Sequence, residues 1–118
     1  MTVMHADVVG EQLELDVRPL VIPPRVKGAT LQERFESFHA LNPWVLTALE
    51  TLTDAYLQNR DRIGIKMLIE QLRWHHDRST RGDAFKFNNN LASRYVRLLV
   101  ERNPAWASAF ERRRLLAD

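Results

Sequence analysis

Residues 30–56 read TLQERFESFHALNPWVLTALETLTDAY, and this stretch decides the fold class. Thr30-Leu31-Gln32-Glu33 has the form of a capping box. In such a box the threonine hydroxyl satisfies one free amide of the first helical turn, and the glutamate reaches back to the threonine amide. Leu31, Phe35, Phe38 and Leu41 then recur at helical spacing, so a helix is expected to start after Thr30. Asn42-Pro43 ends it and opens another. Asparagine is a good cap, and proline fits the first turn, where its missing N–H has no partner to lose. Val45, Leu49, Leu52 and Tyr56 give the second helix its apolar stripe, and the polar run Gln58–Arg62 stops it.

The same periodicity continues downstream. Ile65, Leu68, Ile69 and Leu72 predict a third helix over about residues 65–76. The run HHDRSTRGDAF, residues 75–85, has no period and contains Gly82, so it reads as a loop following exposed helix-end histidines. Phe85-Lys86-Phe87 reads as a short extended segment before a fourth helix over residues 89–102. That helix is expected to bury Leu91, Tyr95, Leu98 and Leu99. Asn103-Pro104 repeats the helix-start signal, and a fifth helix would carry Trp106, Phe110 and Leu115.

Upstream the pattern changes. Leu13, Leu15 and Val17 alternate, and prolines follow at 19, 23 and 24, which predicts an edge strand or extended arm. Such an arm can pack on the body, pair with a partner or stay mobile. The expected architecture is all-α: a compact bundle of about five helices over residues 30–118, behind an extended N-terminal arm over residues 1–29. No internal repeat or low-complexity tract interrupts it.

Composition narrows the chemistry. A chain of 118 residues with 45% hydrophobic and 27% charged residues suits a single globular domain. With no cysteine, disulfides, thiolate zinc sites and cysteine nucleophiles are excluded. No apolar run reaches the ~18 residues of a membrane span, and the start MTVMHADVVGEQ lacks a secretory pattern, so a cytoplasmic location is expected. The net charge of +2 conceals a split. Residues 1–59 hold 4 Lys/Arg against 8 Asp/Glu, and residues 60–118 hold 13 against 7. A basic second half suits an anionic partner, or a dipolar surface whose halves attract.

The fourth helix carries the richest candidate site. Opposite its apolar stripe stand Asn90, Ser93, Arg94, Arg97 and Glu101, with Lys86 and Arg81 ahead of it and Arg73 on the preceding helix. Asn and Arg suit bidentate contacts with adenine and guanine edges, Ser suits bases or phosphate, and a helix N-terminus favours phosphate. The third helix, loop and fourth helix would form a helix-turn-helix variant, although the gap from Asp77 to Asn88 is long for that motif. Asn88 or Asn89 as a helix cap, with solvated arginines beyond, is the plainer alternative. Adjacent His75 and His76 lie about 100° apart on a helix, a poor arrangement for joint metal ligation. No glycine-rich phosphate loop, nucleophile elbow or paired carboxylates mark a catalytic centre, so no catalytic residue, metal or cofactor is assigned. The terminal run Glu111–Leu116 adds a basic cluster.

One resemblance runs through residues 34–114. It is carried by Phe35-x-x-Phe38-His39-x-x-Asn42-Pro43, Ile65-Lys66, Leu72-Arg73-Trp74, Phe85-Lys86-x-Asn88-Asn89-Asn90, Ser93-Arg94-Tyr95-x-Arg97-Leu98-Leu99, Pro104 and Phe110-Glu111-x-Arg113. In this order they resemble a group of small helical proteins encoded by bacteriophages and prophages. The resemblance implies a phage-type accessory protein in a bacterial cytoplasm and assigns no activity to any residue. Two functions are expected. The first is non-enzymatic nucleic-acid (DNA) binding through Arg73, Arg81, Lys86, Asn90, Ser93, Arg94 and Arg97. The alternative is a protein-interaction module that inhibits or redirects a host or defence protein, with the arm adding a strand to that partner or swapping within a homodimer. A hydrolase using His75 or His76 is a weaker third.

Overall fold

A computed structural model of the chain describes residues 13–80 and 84–110. Four α-helices form the body: α1 (Leu31–Leu41), α2 (Pro43–Tyr56), α3 (Ile65–Thr80) and α4 (Ala92–Arg102). A 3-10 turn at Asn89–Leu91 leads into α4, and a second at Pro104–Ser108 follows it.

The capping box forms as its sequence requires. The Glu33 amide donates to the Thr30 hydroxyl at 3.1 Å, and the Thr30 amide donates to the Glu33 carboxylate at 2.9 Å. That backbone donor, with the hydroxyl, holds the Glu33 carboxyl below its usual pKa. α2 is the central helix. It buries Trp44, Val45, Leu46, Ala48, Leu49, Leu52, Thr53 and Tyr56, a band too wide for a one-sided stripe, because α1, α3 and α4 all pack on it. Thr53 is tolerated there because its hydroxyl donates to the Leu49 carbonyl at 2.7 Å.

Three expectations change. α3 does not stop at His76 but runs one further turn to Thr80, whose hydroxyl donates to the His76 carbonyl at 2.9 Å. No Gly or Pro interrupts the chain before Gly82, and Arg78 lies over the Trp74 ring at 4.6 Å, joining successive turns. The expected fifth helix is a 3-10 turn in its described part, after which Phe110 is buried and bridges to Ile63. Leu115 and the run 111–118 lie outside the described residues. In α4, Val96 takes a fully buried place and Leu98 is half-buried.

The arm from Leu13 to Gly28 is extended and forms no strand. Leu13, Leu15, Val17 and Leu20 pack against the core, while Glu14, Asp16 and Arg18 face solvent. Of the fates open to an arm, packing on its own body is the one adopted by this stretch. Its backbone finds a side-chain partner instead of a neighbouring strand. The Asn42 amide accepts from the Val21 N–H and donates to the Val21 carbonyl, both at 2.8 Å, and donates to the Phe38 carbonyl at 3.0 Å. Asn42 is therefore a buried tether for the arm, and its side chain does not cap α2.

An aromatic chain crosses the core from Trp44 through His76, Phe85, Phe87 and Phe38 to Tyr95 and Phe35, with neighbouring ring centres 4.8–6.4 Å apart. Phe85 and Phe87 are buried alternately with exposed Lys86 and Asn88, the pattern of an extended segment. This segment seals one side of the bundle and aims Lys86 and Asn88 outward.

Candidate nucleic-acid interface

Those two outward side chains help line an open groove of about 580 Å³. The arm supplies one wall with Ile22, Pro23, Pro24, Arg25, Val26 and Lys27. α1 supplies Glu33, Arg34, Ser37 and Phe38, and the segment entering α4 supplies Lys86, Asn88 and Leu91. A tight turn brings the arm wall back to α1. The Ala29 N–H donates to the Val26 carbonyl at 3.2 Å, with Gly28 at φ +81°. A positive φ at the third turn position is the type II signature, which glycine adopts without steric cost.

The charges in this groove are mostly positive. Arg25, Lys27, Arg34 and Lys86 have no ion-pair partner among the described residues. Several other cations are engaged. Arg18 pairs with Asp16 at 3.1 Å and Arg102 with Glu50 at 2.9 Å, while Arg60 lies over Tyr56 and Arg78 over Trp74. The one carboxylate in the lining, Glu33, is already bonded to Thr30.

The sequence-expected site residues divide. Lys86 lines the groove. Asn88 is the cap, its carbonyl oxygen accepting from the Asn90 N–H at 2.9 Å, and Asn90 is exposed beside it. Asn90 belongs to the 3-10 turn and not to α4, so the expected helical register with Arg94 and Arg97 is broken at Ala92. Arg97 is exposed, and Ser93 and Arg94 are half-buried. The Arg94 Nε is buried and has no hydrogen-bond partner among the described residues. Arg73 is committed to structure. It pairs with Glu70 at 3.4 Å, donates to the Phe85 carbonyl at 3.3 Å and lies over the Phe85 ring. Arg81 lies outside the described residues. Within the described segment 84–91, two phenylalanines enter the core, which differs from the tight turn of about 3–4 residues in a helix-turn-helix.

The histidines correct the sequence reading. His75 and His76 are buried, at 8% and 0% exposure, and the extra turn of α3 places them before the helix end. His76 packs between Trp44 and Phe85, and neither ring nitrogen has a hydrogen-bond partner among the described residues. A sealed imidazole offers nothing to a hydrolytic substrate. Among the described residues, no group of three or more His, Asp or Glu is placed to hold a metal ion. His39 stacks on Phe35, and burial, with nearby Arg102 adding to it, pushes its pKa down.

Arg25, Lys27 and Arg34 were missed from the sequence as site residues. The only signal was a pair of cations beside a turn glycine after two prolines. Nothing in the order of residues ties them to Lys86. No helix among the described residues is long and apolar enough to cross a membrane. No family model, curated protein or solved structure matches the chain.

Proposed function

We propose that this chain binds nucleic acid without catalysis, as a phage-type accessory protein would. The observation that supports this reading is the convergence of Arg25, Lys27, Arg34 and Lys86 on one groove that holds a single carboxylate, Glu33. Gathering like charges costs repulsion in the free protein, and an anionic ligand relieves it. The groove leads into α4 through Asn88 and Leu91. On α4 beyond it, Arg94 is half-buried and Arg97 is exposed. The alternating arm residues that would add a strand to a protein partner are instead spent on the chain's own core.

Fluorescence-anisotropy titrations with labelled DNA at about 50 and 200 mM salt test the proposal. Four phosphate contacts give a slope of log affinity against log salt of about −3 to −4. Replacing Arg25, Lys27, Arg34 and Lys86 with glutamate should abolish binding. Absence of binding by the wild-type chain at micromolar concentration in low salt refutes the reading.

A further inference from the structure

We infer that the groove between the arm and α1 takes an unpaired nucleic-acid strand, not a duplex; this rests on the nucleic-acid reading above. Three features of the lining lead there. The first is its hydrogen-bonding balance. Arg25, Lys27, Arg34 and Lys86 are donors only. Against these four cations the side-chain acceptors other than Ser37 are few: Glu33, one of whose oxygens accepts from the Thr30 N–H, and Asn88, whose amide oxygen accepts from the Asn90 N–H. A peptide strand brings an N–H at nearly every residue and needs acceptors for each one buried. A phosphodiester strand brings oxygen acceptors and negative charge, and so matches a wall of donors.

The second feature is apolar. Val21, Ile22, Val26 and Leu41 are the large hydrophobics left exposed among the described residues, and Ile22 (52%) and Val26 (63%) line this groove beside Pro23 and Pro24. A duplex turns its phosphates outward and hides the flat faces of its bases in the stack. An unpaired strand exposes those faces, which bury favourably against apolar side chains. Cations alone would serve either form of DNA. Cations alternating with exposed aliphatic residues serve the single strand.

The third feature is shape. The groove is a concave slot whose arm wall is fixed to the body by the buried Asn42 amide. Its volume of about 580 Å³ is on the scale of a small number of nucleotides.

The test uses the full chain, a labelled oligothymidylate of about 15 nucleotides and a mixed-sequence duplex of equal length, at one salt concentration. The single strand should bind about tenfold tighter or more. Ile22→Ser with Val26→Ser removes apolar contact at exposed positions, so the fold, checked by circular dichroism, should persist. This double variant should lose about tenfold in single-strand affinity while leaving duplex affinity unchanged. Duplex binding equal to or tighter than single-strand binding overturns the inference while leaving the nucleic-acid reading intact. So does an unchanged single-strand affinity in the double variant. If polyglutamate displaces the single strand at equal charge concentration, the groove is a general polyanion site and the inference fails. If neither DNA binds at low salt, the nucleic-acid reading itself fails.

Discussion

Replacing Asn42 with alanine should release the arm from the helical body at a defined cost. Asn42 is fully buried and makes three side-chain hydrogen bonds, two to Val21 and one to the Phe38 carbonyl. Each is worth about 1 kcal/mol net. The Phe38 carbonyl keeps the Asn42 backbone N–H at 2.9 Å, so its loss is small. Val21 is half exposed, so water can recover part of its pairing. Adding the void left by the amide, the expected loss is about 2 kcal/mol, or a drop in melting temperature of about 8 °C. Urea denaturation measures the first number. Hydrogen exchange at the Val21 amide reports whether the arm opens ahead of the body, and it should accelerate more than amides in α2. Asn42→Asp is the sharper variant. It keeps the acceptor for Val21 N–H but puts an oxygen against two carbonyls, so at neutral pH it should cost more than alanine. Burial and those carbonyls would raise the new carboxyl's pKa, so part of that loss should return as pH falls. If Asn42→Ala unfolds within about 0.5 kcal/mol of wild type and Val21 exchanges no faster, the tether is unimportant.

Other perturbations follow from groups that burial has isolated. The Tyr95 hydroxyl is buried without a hydrogen-bond partner among the described residues, and burial pushes its pKa up. Tyr95→Phe should therefore leave the urea midpoint unchanged or raise stability by up to about 1 kcal/mol, and a loss above that size contradicts the assignment. Glu50 accepts hydrogen bonds from Arg102 at 2.9 Å and Asn103 at 3.0 Å, and the Arg102 bond is the main reason its pKa is lowered. Its contribution is complete above the ordinary carboxyl value of 4.5 and disappears as pH falls through the lower folded value. Glu50→Gln should cost about 0.5 kcal/mol at pH 7 and nothing in strong acid, as read from denaturation midpoints across pH. His39 acts in the same direction at higher pH. Its folded pKa lies below 6.5, so stability should fall as the solution is acidified from 6.5 through that value. His39→Gln should flatten that step.

Local chemistry was enough to place the four α-helices from sequence, though not the end of α3 or the 3-10 form of the segment after Asn103. The Thr30–Glu33 box, the Asn42-Pro43 boundary and the apolar periods each act within a few residues, so no distant contact is needed to read them. The same holds for Phe85-Lys86-Phe87, whose alternation already separates a core side from a solvent side. Sequence failed where the deciding partner is far along the chain. His76 reads as an exposed polar end until Trp44 and Phe85 close over it, and His75 beside it is buried as well. Asn42 reads as a cap until Val21 arrives to claim its amide. The basic helix over residues 89–102 was legible as a charged face, yet the fold commits Arg73 to Glu70 and Phe85 and half-buries Arg94. The groove was hidden for a further reason. The net charge of residues 1–59 is negative, which masks Arg25, Lys27 and Arg34 in any count along the chain. Electrostatic attraction depends on distance in space and on which charges are neutralised by neighbours. Only the tertiary structure brings those three cations to Lys86 while leaving them without carboxylate partners among the described residues.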